Sequence, residues 1–172
     1  SSVPLVLDAD ALNVLAEVPD RLVARDGRPI IITPHPGEMA RLIGATTAEV
    51  QQRRIDVART FATDHGVFVI LKGHRTVIAT PDGRIFINPT GNPWMATGGT
   101  GDVLTGMVAG WLAQLHDGEA ACKLAVYLHG AAGDLAATDV GEFALIASDI
   151  IGHLGPAVRD LSAPAGDGQR AG

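Results

Sequence analysis

Asp102 follows Gly98-Gly99-Thr100-Gly101 and leads into Val103-Leu104, a pattern that sets a carboxylate beside a run of exposed backbone amides. Glycines at 98, 99 and 101 tolerate positive φ and let a ligand come against the main chain where a Cβ would stand in the way. Thr100 is read as the cap of a helix over 101–114, whose unpaired N–H groups and partial positive charge attract an anion. Asp102 suits the dipole of that first turn, yet it would repel a phosphate seated there. Two roles follow: simple dipole compensation, or orienting and deprotonating a hydroxyl that attacks the phosphorus. Three glycines exceed what a cap requires. The adopted reading is therefore an anion hole from Gly98, Gly99, Thr100 and Gly101, with Asp102 as the base.

Further candidates stand just after three apolar runs, at the strand ends where open α/β sheets bind ligands. After Leu7 come Asp8-Ala9-Asp10; the two acids suit a metal or a hydroxyl, or a helix start, with Asp10 placed to cap. After Ile32 come Thr33-Pro34-His35-Pro36-Gly37-Glu38, where flanking prolines fix the backbone and hold the His35 imidazole in one direction. Glu38 falls in the first turn of a helix over 37–42, either offsetting its dipole or reaching magnesium through water. After Leu71 come Lys72-Gly73-His74-Arg75-Thr76, and Lys72 is one of only two lysines in the chain. It either holds a nucleotide phosphate or snorkels to solvent, and Thr76 either adds a hydroxyl or begins a strand.

The runs at 4–7, 30–32 and 67–71 are short, continuous and rich in β-branched residues, as expected of strands covered on both faces. A helix over 47–65, closed by Gly66, lies between the last two, and the alternation implies a parallel sheet flanked by helices. Thr80-Pro81-Asp82-Gly83 separates two further strand-like runs and marks a hairpin. Helices over 101–114, 119–138 and 148–161 follow, the last opened by Ser148-Asp149 and crossed by Gly155-Pro156. Gly106, Gly110, Gly130 and Gly133 are read as allowing close packing.

At 172 residues, 47% of them hydrophobic and 19% charged, the chain suits one globular domain over 1–161 with a flexible tail over 162–172. No apolar run is long enough to span a bilayer and no signal peptide pattern opens the chain, so a cytoplasmic place is expected. A net charge of −6 without a basic run argues against nucleic acid or membrane surfaces. Cys122, the single cysteine, excludes an internal disulfide and is read as a buried small hydrophobe.

These segments together resemble the ribokinase-like superfamily and, within it, the ADP- or ATP-dependent NAD(P)H-hydrate dehydratases. Leu7-Asp8-Ala9-Asp10-Ala11-Leu12-Asn13, Thr33-Pro34-His35-Pro36-Gly37-Glu38-Met39, Leu71-Lys72-Gly73-His74-Arg75-Thr76 and Gly98-Gly99-Thr100-Gly101-Asp102-Val103-Leu104 carry the resemblance, in the family's order. It implies a three-layer α/β/α fold, with a mostly parallel sheet and a β-hairpin, lacking an N-terminal portion. The implied activity is phosphorylation of the hydroxyl on a hydrated NADH or NADPH, followed by phosphate elimination, with ADP or ATP as co-substrate and Mg2+ as cofactor. By position, Asp102 would activate the hydroxyl, His35 and Asp102 would contact the hydrated cofactor, and Lys72, Gly73, His74, Arg75, Thr76 and Gly101 would bind the nucleotide. The resemblance also implies a homo-oligomer when complete and fusion or partnership with an NAD(P)H-hydrate epimerase. Sugar, hydroxymethylpyrimidine and thiazole kinases share the glycine seat but resemble Asn-x-x-Glu where this chain has His35-Pro36-Gly37-Glu38. A non-catalytic nucleotide-binding remnant is the other alternative, since family members carry a further stretch before Leu7. On that ground the chain alone is expected to be weak or inactive. Trp94 replaces a small residue of the family and is expected to narrow the mouth of the site.

Overall fold

Three isoleucines in a row cannot alternate between core and solvent, so a strand made of them needs cover on both faces. In the computed structural model, which describes residues 3–18, 22 and 27–163, that strand (β2, Ile30–Ile32) is buried throughout. It lies between β1 (Leu5–Leu7) and β3 (Phe68–Leu71) and runs parallel to both. β4 (Val77–Ala79) pairs antiparallel with β3, and β5 (Ile85–Ile87) antiparallel with β4, so the strand order follows the chain. The β4–β5 turn closes as its residues require: Gly83 has φ +84°, its N–H donates to Thr80 O at 2.9 Å, and the Thr80 hydroxyl donates to Asp82.

Both parallel crossovers advance in one direction across the sheet, and their right-handedness puts their helices on one face. These are α1 (Asp10–Ala16), then α2 (Pro36–Ile43), α3 (Thr47–Gln52) and α4 (Arg54–His65). Leu12, Met39, Val50 and Phe61 meet Ile30, Ile32, Val69 and Leu71 there. The alternate strand residues Ile31, Ile70 and Ile78 face Leu104, Val108 and Leu112 of α5 (Thr100–Leu115) and Cys122, Ala125 and Val126 of α6 (Gly118–Val140). α7 (Ala147–Ser162) closes over the outer side of α6 through Ile150 and Ala157. The architecture is three-layer α/β/α. Among the described residues no helix is long and apolar enough to cross a membrane.

Several local expectations are corrected. The helix expected over 47–65 divides at Arg53 (φ −129°, ψ 36°), and α3 carries its own capping box from Thr46 and Glu49. Asp10 does not cap α1; Ala9, at φ 49°, occupies the cap position and Asp10 is the first helical residue. α6 starts one residue early because the Asp117 carboxylate accepts the N–H groups of Glu119 and Ala120. α7 starts at Ala147, with Asp149 accepting from Ile146 N. Gly106 and Gly110 have open space where a Cβ would lie, so they serve no close packing. The expected flexible tail falls, from residue 164 on, outside the described residues.

Gly130 and Gly133 do permit close packing, but against a loop. A Cβ on Gly130 would stand 2.3 Å from Thr90 Oγ1 and 2.7 Å from the Thr90 carbonyl carbon, and one on Gly133 would meet Met95 Sδ at 2.3 Å. Gly130→Ala therefore forces the loop away from α6. A destabilisation of about 1–3 kcal/mol by urea denaturation is expected, and unchanged stability would refute the packing account.

Candidate active site

The carboxyl ends of the parallel strands converge on one ammonium group. Lys72, directly after β3, places Nζ 2.8 Å from Asp8 Oδ1, directly after β1, and 3.9 Å from Glu38 Oε2. The second Asp8 oxygen accepts from Thr105 Oγ1 of α5 at 2.7 Å, and Thr105 lies 3.4 Å from Thr33 Oγ1 at the end of β2. One carboxylate thus ties β1, β3 and α5 together. Burial pushes the Asp8 pKa up, but the hydrogen bonds from Lys72 and Thr105 outweigh it and leave the carboxyl below its usual range. The structure gives Asp8 partners that the sequence readings did not name, the Lys72 ammonium and the Thr105 hydroxyl.

Glu38 is buried and committed to the start of α2. Its Oε2 accepts the His35 N–H at 2.7 Å, while His35 Nδ1 accepts from Gly37 N at 3.0 Å and Glu38 N at 3.2 Å. An imidazole thus performs the capping usually given to a hydroxyl or carboxylate. The flanking prolines frame His35, but these bonds fix its ring. Its Nε2 lies 3.4 Å from Glu38 Oε1, and the side chain is 49% exposed.

At the glycine seat, α5 begins one residue earlier than expected. Gly99, at φ +86°, is the cap residue and offers no side chain to the helix, so Thr100 is the first helical residue and not its cap. The Thr100 hydroxyl turns back and donates to the carbonyls of Met95 (2.8 Å) and Thr97 (2.9 Å), tying the loop to the helix start. Gly98 and Gly101 do not have positive φ; at Gly101 the missing Cβ instead keeps space open, 3.4 Å from Lys72 Nζ. The amides of Thr100, Gly101 and Asp102 have no acceptor among the described residues, and the exposed Asp102 carboxylate has neither an ion pair nor a hydrogen bond there.

A cavity of about 610 Å³ opens against this seat, lined by His35, Lys72, Gly73, His74, Arg75, Thr76, Thr100 and Gly101, among others. That volume suits a small-molecule ligand, for which roughly 300–1,000 Å³ is usual. Asp102, Gly98 and Gly99 lie outside its lining. Trp94 does too: it packs on Phe143 with ring centroids 4.5 Å apart, so the expected narrowing of the mouth is not observed. Gly73, at φ +137°, leaves no room for a Cβ, which would lie 2.8 Å from Arg54 Nη1. Arg54 holds this turn by donating to Leu71 O (2.9 Å) and Lys72 O (3.3 Å), and Thr76 Oγ1 closes it on Gly73 O at 3.1 Å.

Gly91, Asn92 and His129 also line the cavity, and sequence reasoning gave them no role; Asp134 holds the first two from outside the lining. Asp134 accepts from Gly91 N and Asn92 Nδ2, both at 2.9 Å, while Asn92 Oδ1 accepts from Trp94 N. His129 Nε2 lies 2.9 Å from Thr100 O. Asn92 carried a local signal, an Asx-type residue before Pro93. Arg54, His129 and Asp134 act across the fold and carried none. Cys122 is buried as expected, and burial pushes its thiol pKa up.

The profile of the NAD(P)H-hydrate dehydratase family matches residues 1–154. The chain belongs to that family. It is 51% identical over 159 residues to the bifunctional NAD(P)H-hydrate repair enzyme Nnr of Moorella thermoacetica, covering 92% of this chain and 30% of that protein. It is 45% identical over 160 residues to the ADP-dependent (S)-NAD(P)H-hydrate dehydratase of Neisseria meningitidis, covering 92% of this chain and 53% of that one. Among solved structures, the ADP/ATP-dependent NAD(P)H-hydrate dehydratase of Bacillus subtilis, co-crystallised with ATP/Mg2+, superposes with a TM-score of 0.79 at 40% identity. That match covers 91% of this chain and 56% of the Bacillus chain. A ribokinase-like superfamily protein of Enterococcus faecalis superposes with a TM-score of 0.73 at 30% identity, over 94% of this chain and 54% of its own, which agrees with the expected fold. The chain spans about half the length of these dehydratases and under a third of the Moorella repair enzyme.

Within this NAD(P)H-hydrate dehydratase family member, Asp8 generates a testable pH signature. Its folded pKa is lowered, so its stabilisation is present above the unfolded carboxyl pKa and is lost as pH falls through the folded value. Asp8→Asn, which strands a largely buried ammonium, should cost about 1–3 kcal/mol at neutral pH. The gap between the two proteins should close steadily below about pH 4. A pH-independent gap in denaturation midpoints would contradict the assignment.

Proposed function

We propose that the chain carries the phosphoryl-transfer and elimination site of an ADP- or ATP-dependent dehydratase that returns hydrated NADH or NADPH to NAD(P)H. The observation that carries this reading is the start of α5: three amides at Thr100, Gly101 and Asp102 without an acceptor among the described residues, with Lys72 on the cavity side and, outside the cavity, a carboxylate that has no partner among those residues. The terminal phosphate of the nucleotide sits on those amides, and Lys72 faces it across Gly101. Gly73, His74, Arg75 and Thr76 form the neighbouring wall for the remainder of the nucleotide. Asp102, on the solvent side of the seat, accepts the proton of the ring hydroxyl as the hydroxyl oxygen attacks the terminal phosphorus and the P–O bond to the shorter nucleotide breaks, releasing AMP from ADP or ADP from ATP; His35 contributes to holding the hydrated ring. Departure of the phosphate with its C–O bonding pair, together with loss of a proton from the adjacent ring carbon to water, then restores the ring double bond, because phosphate leaves far more readily than hydroxide.

Magnesium fits this arrangement only through water and phosphate. Among the described residues no three His, Cys, Asp or Glu side chains converge to hold a metal by themselves. The charged side chains that line the cavity are Lys72 and Arg75, both suited to a polyphosphate, while Asp8 and Glu38 stand behind Lys72 and outside that lining. A hydrated cation accompanying the nucleotide would offset the charge of the phosphates, and Glu38 is the carboxylate proposed to hold it through water. A second, epimerase activity is proposed to work beside this one, a reading supported by the bifunctional repair enzymes among the relatives; a cytoplasmic place and an oligomeric whole protein remain part of the same proposal. A kinase acting on a sugar, pyrimidine or thiazole is disfavoured by His35-Pro36-Gly37-Glu38, which stands where those kinases resemble Asn-x-x-Glu.

Hydrated NADH supplied with ADP and Mg2+ should regain the NADH absorbance band. Asp102→Ala should lower that rate at least about 100-fold while leaving nucleotide binding in place. Nucleotide binding without any recovery would support a binding remnant, and recovery at the parent rate by the Asp102 variant would refute the assigned base.

A further inference from the structure

The carbonyl of Thr100 and the N–H of Gly101 belong to one rigid, planar peptide unit, with O and H pointing in opposite directions. Whatever fixes the carbonyl therefore aims the amide. His129 reaches from α6 with Nε2 2.9 Å from that carbonyl oxygen. A carbonyl can only accept, so Nε2 carries the proton and His129 is the donor. The approach is possible because α6 is bare beside the histidine. Gly130 lets the helix close onto Thr90 and Gly91, and Gly133 does the same for Met95. The Thr100 hydroxyl binds the same stretch by its bonds to Met95 and Thr97. His129, Thr100 and Gly101 all line the cavity.

We propose that His129 is a positioning residue of the phosphate seat: its Nε2–H holds the Thr100–Gly101 peptide plane, so that the Gly101 N–H points at the anion and is polarised toward it. Hydrogen bonds linked through one peptide unit strengthen one another, so the donor on the carbonyl side makes the opposite N–H a better donor. The imidazole also stays neutral. Burial pushes its pKa down, the bond to Thr100 opposes this, and the Lys72 ammonium lowers it further. His129 thus gives the seat a donor without taking up a second cationic role beside Lys72.

This inference rests on the reading of the seat as a nucleotide phosphate site, and the test separates the two. On the full chain, calorimetry with ADP and Mg2+ is compared with adenosine for the parent, His129→Phe and His129→Gln. Phenylalanine keeps the ring and removes the donor; glutamine keeps an N–H at similar reach. The expected result is about tenfold weaker ADP binding for His129→Phe, adenosine binding unchanged, and recovery of most of the ADP affinity in His129→Gln. Equal loss for adenosine and ADP, or a glutamine variant no better than phenylalanine, would overturn the proposal and leave a space-filling role. Long-range 1H–15N correlation of the parent gives a check that needs no variant. A neutral Nε2–H tautomer at neutral pH is expected, and an Nδ1–H tautomer or a charged ring would sink the idea. Parent chain that binds adenosine but not ADP would remove the phosphate reading itself and this inference with it.

Discussion

A helix that begins without a side-chain cap leaves its first amides unsatisfied, and the organisation of this molecule follows from that deficit at α5. Gly99 offers nothing to the helix, and Thr100, which could cap from the preceding position, instead ties the loop behind it. The cost of unpaired N–H groups is tolerable only where water or an anion can reach them, and the cavity alongside supplies that access. Two helices near the site show the contrast: α2 is closed by His35 and Glu38, and α6 by Asp117. α1, which also lacks a side-chain cap, has the amides of Ala11 and Leu12 taken by the carbonyls of Asp8 and Ala9.

The sheet sets the distances around this helix start. Because β1, β2 and β3 lie in chain order and parallel, the residues after each strand fall on one edge, where Asp8, Thr33 and Lys72 meet. Asp8 then connects the edge to α5 through Thr105, one turn beyond Gly101. On the other side α6 presses Gly130 and Gly133 onto the loop that leads into the seat. The anion site is thus held between two layers that have no sequence proximity. Asp8 and Glu38 steady the Lys72 ammonium from outside the cavity, and the charged side chains on the cavity lining, Lys72 and Arg75, are cationic, as a phosphate ligand requires.

Features set by neighbours in sequence were legible before the fold was known. The β-branched runs became strands, Thr80-Pro81-Asp82-Gly83 became the hairpin turn, and Gly98 to Asp102 became a helix start with bare amides. The cap itself was misassigned, because a threonine at the boundary serves equally as the last non-helical residue or the first helical one. The break at Arg53 was hidden for a different reason: the Arg54 guanidinium is committed to carbonyls at the end of β3, a tertiary demand that no helical spacing reveals. Asp8 had only local readings, as a metal or hydroxyl contact or a helix start, and its ion-pair partner is a lysine 64 residues away that none of them named. His129 was invisible inside a stripe of small residues, since its role depends on a carbonyl 29 residues earlier in the chain.

The central claim is that the free amides at the start of α5 grip a nucleotide phosphate while Asp102 stays clear of it. A crystal structure of the chain with ADP and Mg2+ tests this most directly. The account predicts a phosphate oxygen within about 3.2 Å of the Gly101 and Asp102 nitrogens, with the Asp102 carboxylate on the opposite side of the seat from Lys72. A phosphate bound away from residues 100–102, or an Asp102 side chain folded back to cap its own helix, would contradict it.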